Sequence, residues 1–288
     1  MPELPEVETL VKELHLKLKG KKIKAIEVKK PKMVKLPLAK FKHQIAGKKI
    51  VSVTRRAKMI IVDISGPAFL LIHLKMTGQL VFLSKRGKKI SGGHPIGDLG
   101  VLPNKYSHVI LTFTDGAKLF FNDQRQFGWL RIANDKELNS VLKTYGPEPL
   151  EPGLTQSYLN SIIKRYKNRK IKQLLLDQSL ISGLGNIYVD EACFYAKIKP
   201  TRRSGSLTSK ERQDLFLSIK KALRLGIKHG GTTMDHYRHS DGSQGNMREY
   251  LKVYGRANKT CLRKNCFGTI KKIKLAQRGT HYCNVCQK

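Results

Sequence analysis

The sequence predicts an α+β multidomain protein with a β-rich N-terminal part, a helical middle part and a small cysteine-rich C-terminal part. Between about residue 20 and residue 133, runs rich in Val, Ile, Leu and Phe alternate in part with polar residues, which is typical of antiparallel strands. Beyond GPEPLEPG at 146–153, the apolar residues recur with helical spacing. Four of the five cysteines fall in the last 28 residues. A chain of 288 residues is long enough for these parts to bury separate cores.

Residues 1–133 are predicted to form a helix followed by an antiparallel β-sandwich or barrel. The dipeptide Asp115-Gly116 separates two strand-like runs and indicates a hairpin in which both turn residues have positive φ. The stretch 84–104 is punctuated by glycine and proline, so we expect an exposed excursion between strands. The change in composition then predicts a linker over 134–153.

Residues 154–252 are predicted to be helical, with a capping box at Thr208 that opens the longest helix. Glycines 183 and 185 break the chain so that Asn186 begins a new helix, whose free N–H groups would suit a phosphate. An ordinary helical corner capped by the asparagine is the alternative. The polar stretch 232–246 is predicted to be a mobile loop.

The charge balance indicates the class of partner. Lys and Arg number 56 against 21 Asp and Glu, which gives a net charge of +35 and a pI of about 10.1. Such self-repulsion favours a polyanionic partner, nucleic acid first, and a ribosome-like structural role is the alternative. No apolar run approaches the roughly 18 residues of a spanning helix, so no membrane partner is expected. The acidic start is unlike a signal peptide, and a cytoplasmic location is therefore predicted.

The C-terminal segment 253–288 is predicted to be a zinc finger. Its cysteines follow the spacing Cys261-x4-Cys266-x16-Cys283-x2-Cys286, which supplies four thiolates for one tetrahedral, structural Zn²⁺. Paired disulfides are the alternative, and the intracellular setting disfavours them. The strand-like residues between the two pairs predict a β-hairpin. Nine Lys and Arg without any acid from residue 256 onwards make the finger a candidate electrostatic contact.

Two glycine-containing segments, HLKMTGQL at 73–80 and NDQRQFGWL at 122–130, place large side chains at predicted strand ends. Arg125 precedes Phe127 by two residues, and with an exposed Met76 they could form a wedge that enters a base stack. Ordinary core packing of Met76 and Phe127 is the alternative. Lys58 lies in a basic cluster that enters a strand, although one lysine among so many carries little weight by itself.

The opening residues MPELPEVETL allow two interpretations. Removal of Met1 is expected before a small residue and would leave Pro2 with a secondary amine, which can attack a carbonyl-like carbon to form an iminium. Glu3 beside it could act as a general acid. Alternatively, a proline in the first turn and acids near the positive end of a helix simply stabilise that helix.

Eight blocks spread in order over the whole chain resemble the formamidopyrimidine-DNA glycosylase family. The blocks are PELPEVETL at 2–10, RRAK at 55–58, HLKMTG at 73–78, DQRQFG at 123–128, GPEPL at 146–150, GLGNIYVDEA at 183–192, VYGR at 253–256 and the final AQRGTHYC with CQK. The resemblance implies an N-terminal β-sandwich, a helix–two-turn–helix domain over 154–252 and a β-hairpin zinc finger. It also implies a bifunctional DNA glycosylase and abasic-site lyase of base excision repair.

The resemblance further implies roles for individual residues. Pro2 would attack the anomeric carbon, Glu3 would be the general acid, and Glu6 a supporting carboxylate. Lys58 would assist β-elimination, and Arg278 the second, δ-elimination step. The residues that match family contacts to DNA are Met76, Tyr106, Arg125, Phe127, Lys167, Lys172 and Asn186. The expected partner is double-stranded DNA with oxidised bases or abasic sites, bound by a monomer associated with the bacterial nucleoid.

Several positions depart from the family pattern. Lys75 stands where glycine is common, Gln126 replaces a second arginine, and Tyr106 replaces a histidine. Two alternative functions remain. An endonuclease VIII-like enzyme for oxidised pyrimidines would usually begin PEGPE, whereas this chain has Leu4. A non-catalytic binder of damaged DNA would not need Pro2, Glu3 and Lys58 together.

Overall fold

The computed structural model describes residues 2–93, 101–232 and 247–288. The chain divides into two compact units: unit 1 contains residues 1–143 and 230–246, and unit 2 contains residues 144–229 and 247–288. The helical and cysteine-rich segments therefore lie in the same unit. The finer boundaries 1–133, 134–153, 154–252 and 253–288 stay predictions. The predicted mobile loop, apart from Thr232, lies outside the described residues, as does the 94–100 part of the excursion.

Unit 1 is an antiparallel β-sandwich with helices beside it, as the sequence predicts. Its helices are α1 Leu4–Leu18, α2 Leu38–Ile45 and α3 Asp135–Leu142. Its strands are β1 Ile23–Val28, β2 Ile50–Arg56, β3 Met59–Ile64, β4 Ala68–His73, β5 Gly78–Leu83, β6 Lys89–Gly93, β7 Ser107–Phe113, β8 Lys118–Asp123 and β9 Trp129–Ala133. One sheet has the order β1-β7-β8-β5-β6 and the other β2-β3-β4-β9. A single apolar core joins α1 to both sheets, which fixes where the helix begins relative to the strand ends.

Three local predictions for unit 1 differ from the structure. The excursion 84–104 contains the edge strand β6, which pairs with β5 and packs on α1 through Gly92. The Asp115-Gly116 hairpin is present, but only the glycine has positive φ, because the loop has four residues rather than two. Residues 135–142 of the predicted linker are helical because Asn134 and Glu137 form a capping box.

Unit 2 contains the helices α4 Gln156–Arg165, α5 Ile171–Leu176, α6 Asn186–Tyr195 and α7 Ser209–Lys228. Thr208 caps α7 by accepting a hydrogen bond from the Glu211 N–H, as predicted. The helix α6 begins at Asn186, directly after the glycines. Among the described residues, no helix is both long and apolar enough to cross a membrane.

The finger is a two-stranded hairpin, β10 Ile270–Leu275 and β11 Arg278–Cys283, and it packs on α6. Its apolar core is small. Within the described residues, the cluster at this place contains Phe194, Val253, Cys261, Ile270 and Cys283. So little apolar area leaves metal binding and polar contacts to hold the hairpin in place.

Candidate functional site

The start of α1 separates the two interpretations of the N-terminal sequence. Helix α1 begins at Leu4 with Glu3 as its N-cap, so the proline of the first turn is Pro5, and Pro2 lies outside the helix. Stabilisation of the helix therefore accounts for Pro5 but not for Pro2. Pro2 and Glu3 are both buried, and the Glu3 N–H donates to Glu6 Oε2 at 2.8 Å.

The Glu6 carboxylate connects the cap of α1 to a segment far along the chain. Its Oε1 accepts the Thr232 N–H at 2.8 Å and the Thr232 hydroxyl at 3.2 Å. A Cβ at Gly231 would lie 2.7 Å from Glu6 Oε1, so this approach needs glycine, which also has φ +86° there. Glu6 thus holds both Glu3 and Thr232 in place, and its role as a supporting carboxylate stays a prediction.

Lys58 occupies the tip of the β2–β3 hairpin. Arg56 pairs with Met59, which leaves a two-residue turn of Ala57 and Lys58, and Ala57 has φ +54°. Arg55 ties this hairpin to α1 through an ion pair with Glu8 at 2.5 Å. Lys58 is only 6% exposed, so its ammonium is held in a defined place rather than free in water.

His73 belongs to the same site, although the sequence did not single it out. It ends β4 directly opposite Met59, beside the tip that carries Lys58. Burial, with the positive charges of Lys75 and Lys58, lowers the pKa of His73 to about 3. The ring is therefore neutral near pH 7. Its Nδ1 accepts the Lys75 N–H at 3.0 Å, so the proton resides on Nε2, which is a donor.

The three wedge residues lie on two neighbouring loops at this end of the sandwich. Phe127 is 54% exposed and Met76 is 38% exposed, so core packing does not explain them. The Arg125 guanidinium lies 4.9 Å from the centre of the Phe127 ring. Lys75 and Gln126, two departures from the family pattern, both have positive φ, at 50° and 56°. That conformation explains why glycine is common at position 75.

Asp123 organises both wedge loops and was also missed by the sequence reasoning. It is fully buried, and its Oδ2 accepts the Gly128 N–H at 2.7 Å. Its Oδ1 accepts the Arg125 N–H at 3.2 Å and the Thr77 hydroxyl. One carboxylate thereby fixes the loop that carries Phe127 and joins it to the loop that carries Met76.

Tyr106 is half-buried at the same end of the sheet, where its carbonyl accepts the Asp123 N–H at 3.0 Å. Lys105 lies 5.2 Å from the centre of its ring. The structure thus brings Pro2, Glu3, Glu6, Lys58 and the wedge residues to one end of unit 1. We call this the reactive end. The DNA contact assigned to Tyr106 stays a prediction.

In unit 2, Lys172 has a different environment from the one that a residue near a damaged base would suggest. It is 1% exposed and forms an ion pair with the fully buried Asp190 at 2.6 Å. The second oxygen of Asp190 accepts the His281 N–H of the finger at 2.8 Å. Lys172 also donates to the Gly279 carbonyl at 3.2 Å. These contacts dock the finger hairpin on α6, and a DNA contact by Lys172 stays a prediction.

Asn186 takes part in the same docking, because its Nδ2 donates to the Gly279 carbonyl at 2.9 Å. Its Oδ1 is buried without a hydrogen-bond partner in the described structure, so it can accept a further donor. Lys167 is exposed on the turn between α4 and α5. Arg278 is exposed directly after the hairpin turn, whose residues Ala276 and Gln277 both have positive φ.

The four finger cysteines fit one zinc ion. Their sulfur atoms lie within 4.8 Å of one another, and none is in a disulfide. The Cys261–Cys286 and Cys266–Cys283 sulfur distances are 3.8 and 3.7 Å. A tetrahedron with Zn–S bonds of about 2.3 Å has sulfur atoms about 3.8 Å apart, which matches. Four protein ligands leave no open position, so the zinc is structural.

Comparisons with known proteins agree with this geometry. The model of the formamidopyrimidine-DNA glycosylase N-terminal domain matches residues 1–130, the model of the H2TH domain of the same enzymes matches 145–238, and the zinc finger found in FPG and IleRS matches 258–288. These matches define the class, a DNA-repair glycosylase with a helix–two-turn–helix domain and one structural zinc.

The relatives identify the family. The formamidopyrimidine-DNA glycosylase of Pelotomaculum thermopropionicum is 40% identical, covering 100% of this chain and 99% of the relative. That of Carboxydothermus hydrogenoformans is 39% identical, with 100% of both chains covered. The solved Lactococcus lactis Fpg in complex with DNA containing an abasic site has a TM-score of 0.86 at 34% identity, with 100% of both chains covered. The chain belongs to the formamidopyrimidine-DNA glycosylase family.

Proposed function

We propose that this enzyme is a bifunctional DNA glycosylase and abasic-site lyase that excises oxidised purines such as 8-oxoguanine and formamidopyrimidines. The position of Pro2 carries the proposal: it is buried, lies outside α1 and directly precedes the buried cap Glu3. Removal of Met1 would leave a secondary amine at this place, directly before the start of α1. A neutral secondary amine is the form that attacks carbon.

The proposed reaction begins when the Pro2 nitrogen attacks C1′ of the damaged nucleotide. Glu3 protonates the sugar ring oxygen, so the C1′–O4′ bond breaks and the ring opens. The bond from C1′ to the base also breaks, the base leaves with the proton given up by the Pro2 amine, and the nitrogen lone pair forms the iminium. Loss of the C2′ proton then expels the 3′ phosphate, and a second elimination expels the 5′ phosphate. Lys58 and the Nε2–H of His73 suit phosphate oxygens during the first elimination, and Arg278 suits the second. Water finally releases Pro2.

The wedge residues support a substrate that is a flipped base in a duplex. An enzyme that extrudes a nucleotide must fill the gap that it leaves, and exposed Met76 and Phe127 supply apolar surface for this purpose. Solved Lactococcus lactis relatives are complexes with DNA that contains Fapy-dG or an abasic site. A monomer acting on the bacterial nucleoid is part of the proposal.

Borohydride trapping tests the chemistry. Reduction in the presence of abasic DNA should give a covalent adduct on the N-terminal peptide, located by peptide mass spectrometry. Glu3→Gln should slow base excision by about 100-fold or more, the usual contribution of a general acid, but slow cleavage of a preformed abasic site much less. Glu13→Gln on the same helix is the control. Absence of an adduct, or full-yield trapping of Pro2→Gly on a lysine, would contradict the mechanism.

The substrate class needs a separate measurement. We expect faster single-turnover excision of 8-oxoguanine opposite cytosine than of thymine glycol. The reverse order would favour the endonuclease VIII-like alternative, and normal binding without excision of either would favour a non-catalytic binder.

A further inference from the structure

The end of unit 1 opposite the reactive end carries a second concentration of positive charge. Strand register defines the two ends: Met59, His73 and Trp129 are neighbours at the reactive end, whereas β3 finishes at Ile64 beside Ala68. Strands of six residues separate these ends by about 20 Å. We call the far one the distal end.

Backbone contacts join the turns of the distal end into one surface. The Gly20 N–H donates to the Ile50 carbonyl at 2.8 Å, and the Ser65 N–H donates to the Lys49 carbonyl at 2.8 Å. The Thr114 N–H donates to the Lys22 carbonyl at 2.9 Å. A Cβ at Gly116 would lie 3.7 Å from the Lys85 side chain, so the β5–β6 turn adjoins as well.

This surface contains many more basic than acidic residues. Its described segments are 19–22, 48–49, 65–67, 84–88 and 114–118. They carry nine basic residues, namely Lys19, Lys21, Lys22, Lys48, Lys49, Lys85, Arg86, Lys88 and Lys118, against one acid, Asp115, which forms an ion pair with Lys21. Nine minus one gives +8, nearly a quarter of the net +35, on less than a tenth of the chain.

We propose that the distal end is a second nucleic-acid-binding surface, which engages the phosphate backbone of a duplex other than the one at the reactive end. Four of the five connected segments present cations across one face, which suits a repeating polyanion. Like charges so close together repel, and phosphates relieve that repulsion while releasing counterions. This surface goes beyond the proposed function, because no step of the excision chemistry uses it.

A lipid surface is a poorer fit to the distal end. Interfacial binding combines cations with apolar side chains that enter the membrane. None of the exposed large apolar side chains among the described residues belongs to the distal segments. The nearest along the chain are Val51, two residues beyond Lys49, and Leu16, three residues before Lys19. Two aliphatic side chains beside nine cations suit backbone contacts to nucleic acid better than insertion into a membrane.

The experiment counts duplexes per protein molecule. The full chain is mixed with an undamaged duplex of about 16 base pairs at low salt, and the mass of each complex is measured by mass photometry. The test variant combines Lys19→Gln, Lys22→Gln, Lys49→Gln and Lys85→Gln. The control combines Lys136→Gln, Lys143→Gln, Lys164→Gln and Lys210→Gln, which removes the same charge from exposed positions elsewhere.

The wild type and the control should bind two duplexes, and the test variant one. If a second binding step of the test variant is reached at a higher duplex concentration, its log–log salt slope should be smaller than that of the wild type by up to about 3.6, since each phosphate contact contributes about 0.9. Lysine-to-arginine changes at the same four positions should restore the second duplex, which excludes misfolding as the cause.

A single duplex on the wild type would overturn the proposal, as would equal losses in the test variant and the control. Vesicles of phosphatidylglycerol and neutral lipid give the remaining outcome. Binding to them that depends on the four lysines, without a second duplex, would also overturn it. The number of duplexes bound per protein does not depend on catalysis, so this result can be interpreted even if the proposed excision mechanism is wrong.

Discussion

The β2–β3 hairpin and the finger hairpin β10–β11 have similar turns but are stabilised by different interactions. Each has a two-residue turn that contains an alanine at positive φ, and each presents a basic residue at its tip, Lys58 in one and Arg278 in the other. Lys58 is buried on a sandwich with a large apolar core, whereas Arg278 is exposed on a hairpin with a small one.

The supports behind the finger hairpin are zinc and buried polar groups. Four cysteines hold one side, while Lys172, Asp190 and Asn186 hold Gly279 and His281. Apolar burial is distributed over many side chains, but a metal or one buried carboxylate concentrates stability in a few atoms. We therefore expect the finger to lose most of its stability when one of these groups is changed, whereas the sandwich should lose stability in small steps.

Removal of zinc should have the largest effect and tests the comparison most directly. Structural zinc contributes about 10–16 kcal/mol in isolated fingers, so chelation should abolish hydrogen-exchange protection over 258–288. Protection of β2 and β3 should be unchanged. Cys193→Ala, at a buried thiol outside the metal site, should leave the finger protected. A finger that stays protected after verified zinc loss would refute the comparison.

Asp190→Asn should cause the second-largest loss of stability. It leaves the Lys172 ammonium buried without its counter-ion, and breaking a buried pair in this way costs about 3–5 kcal/mol. Denaturant unfolding of unit 2 measures the cost. Asp177→Asn is the matched control, because its pair with Arg169 is partly exposed and should cost at most about 1 kcal/mol. Equal costs would mean that burial of the pair is unimportant.

Asp123→Asn should destabilise unit 1 less, by about 1–3 kcal/mol, because an amide nitrogen must replace one of its two acceptor oxygens. Displacement of the Phe127 loop should also reduce discrimination between damaged and undamaged duplexes about tenfold, measured by competition binding. Thr77→Val removes one bond to Asp123 and the bond from the Arg125 N–H. It leaves the Gly128 and Arg125 N–H bonds to Asp123 and should have the smaller effect. Unchanged discrimination would show that the wedge does not depend on this carboxylate.

Acid should weaken unit 1 through His73. Its folded pKa of about 3 lies below the ordinary 6.5, so the unfolded chain binds the proton more tightly between these values. Stability is therefore complete above about pH 6.5 and decreases as the pH falls towards 3, with about 1 kcal/mol already lost at about pH 5.5. Comparison with His73→Gln across that range isolates the contribution. Parallel pH curves for the two proteins would contradict it.

Substitutions of Ala57 and Ala276, the alanines of the two turns, should have the smallest effects on stability and compare the two hairpins most directly. Ala276→Gly should stabilise the finger by about 0.5–1 kcal/mol, because glycine adopts positive φ freely and this methyl group is exposed. Ala57→Gly gains the same relief but loses a fully buried methyl group, about 0.8 kcal/mol, so it should be neutral or slightly destabilising. Thermal unfolding measures both. Equal gains would mean that burial at Ala57 contributes nothing.

Local signals in the sequence predicted much of this architecture. The cap at Thr208, the start of α6 at Asn186 and the cysteine spacing each depend on residues close together in the chain. The helix α3 was missed although Asn134 and Glu137 have the spacing of a capping box. The same kind of signal, applied at Glu3, would have shown that Pro2 lies outside α1.

The remaining features depend on long-range contacts, which local patterns do not contain. Asp123 acts through Thr77, 46 residues away, and Thr232 reaches Glu6 across 226 residues. Lys172 was expected near a damaged base, but its burial results from a carboxylate 18 positions later and a carbonyl 107 positions later. His73 owes its neutral state to strand pairing that places it beside the Lys58 turn.

The adjacent acids Asp190 and Glu191 bind segments of the chain that are synthesised well after α6. The three N–H groups of residues 252–254 donate to Glu191, whose pKa is raised by burial. Asp190 accepts the N–H of His281, which lies 91 residues later in the chain. At about 5–20 residues per second, that interval lasts about 5–18 s. Until then Asp190 is paired only with Lys172, so the docking of the finger hairpin on α6 has to follow the synthesis of residues 279–283.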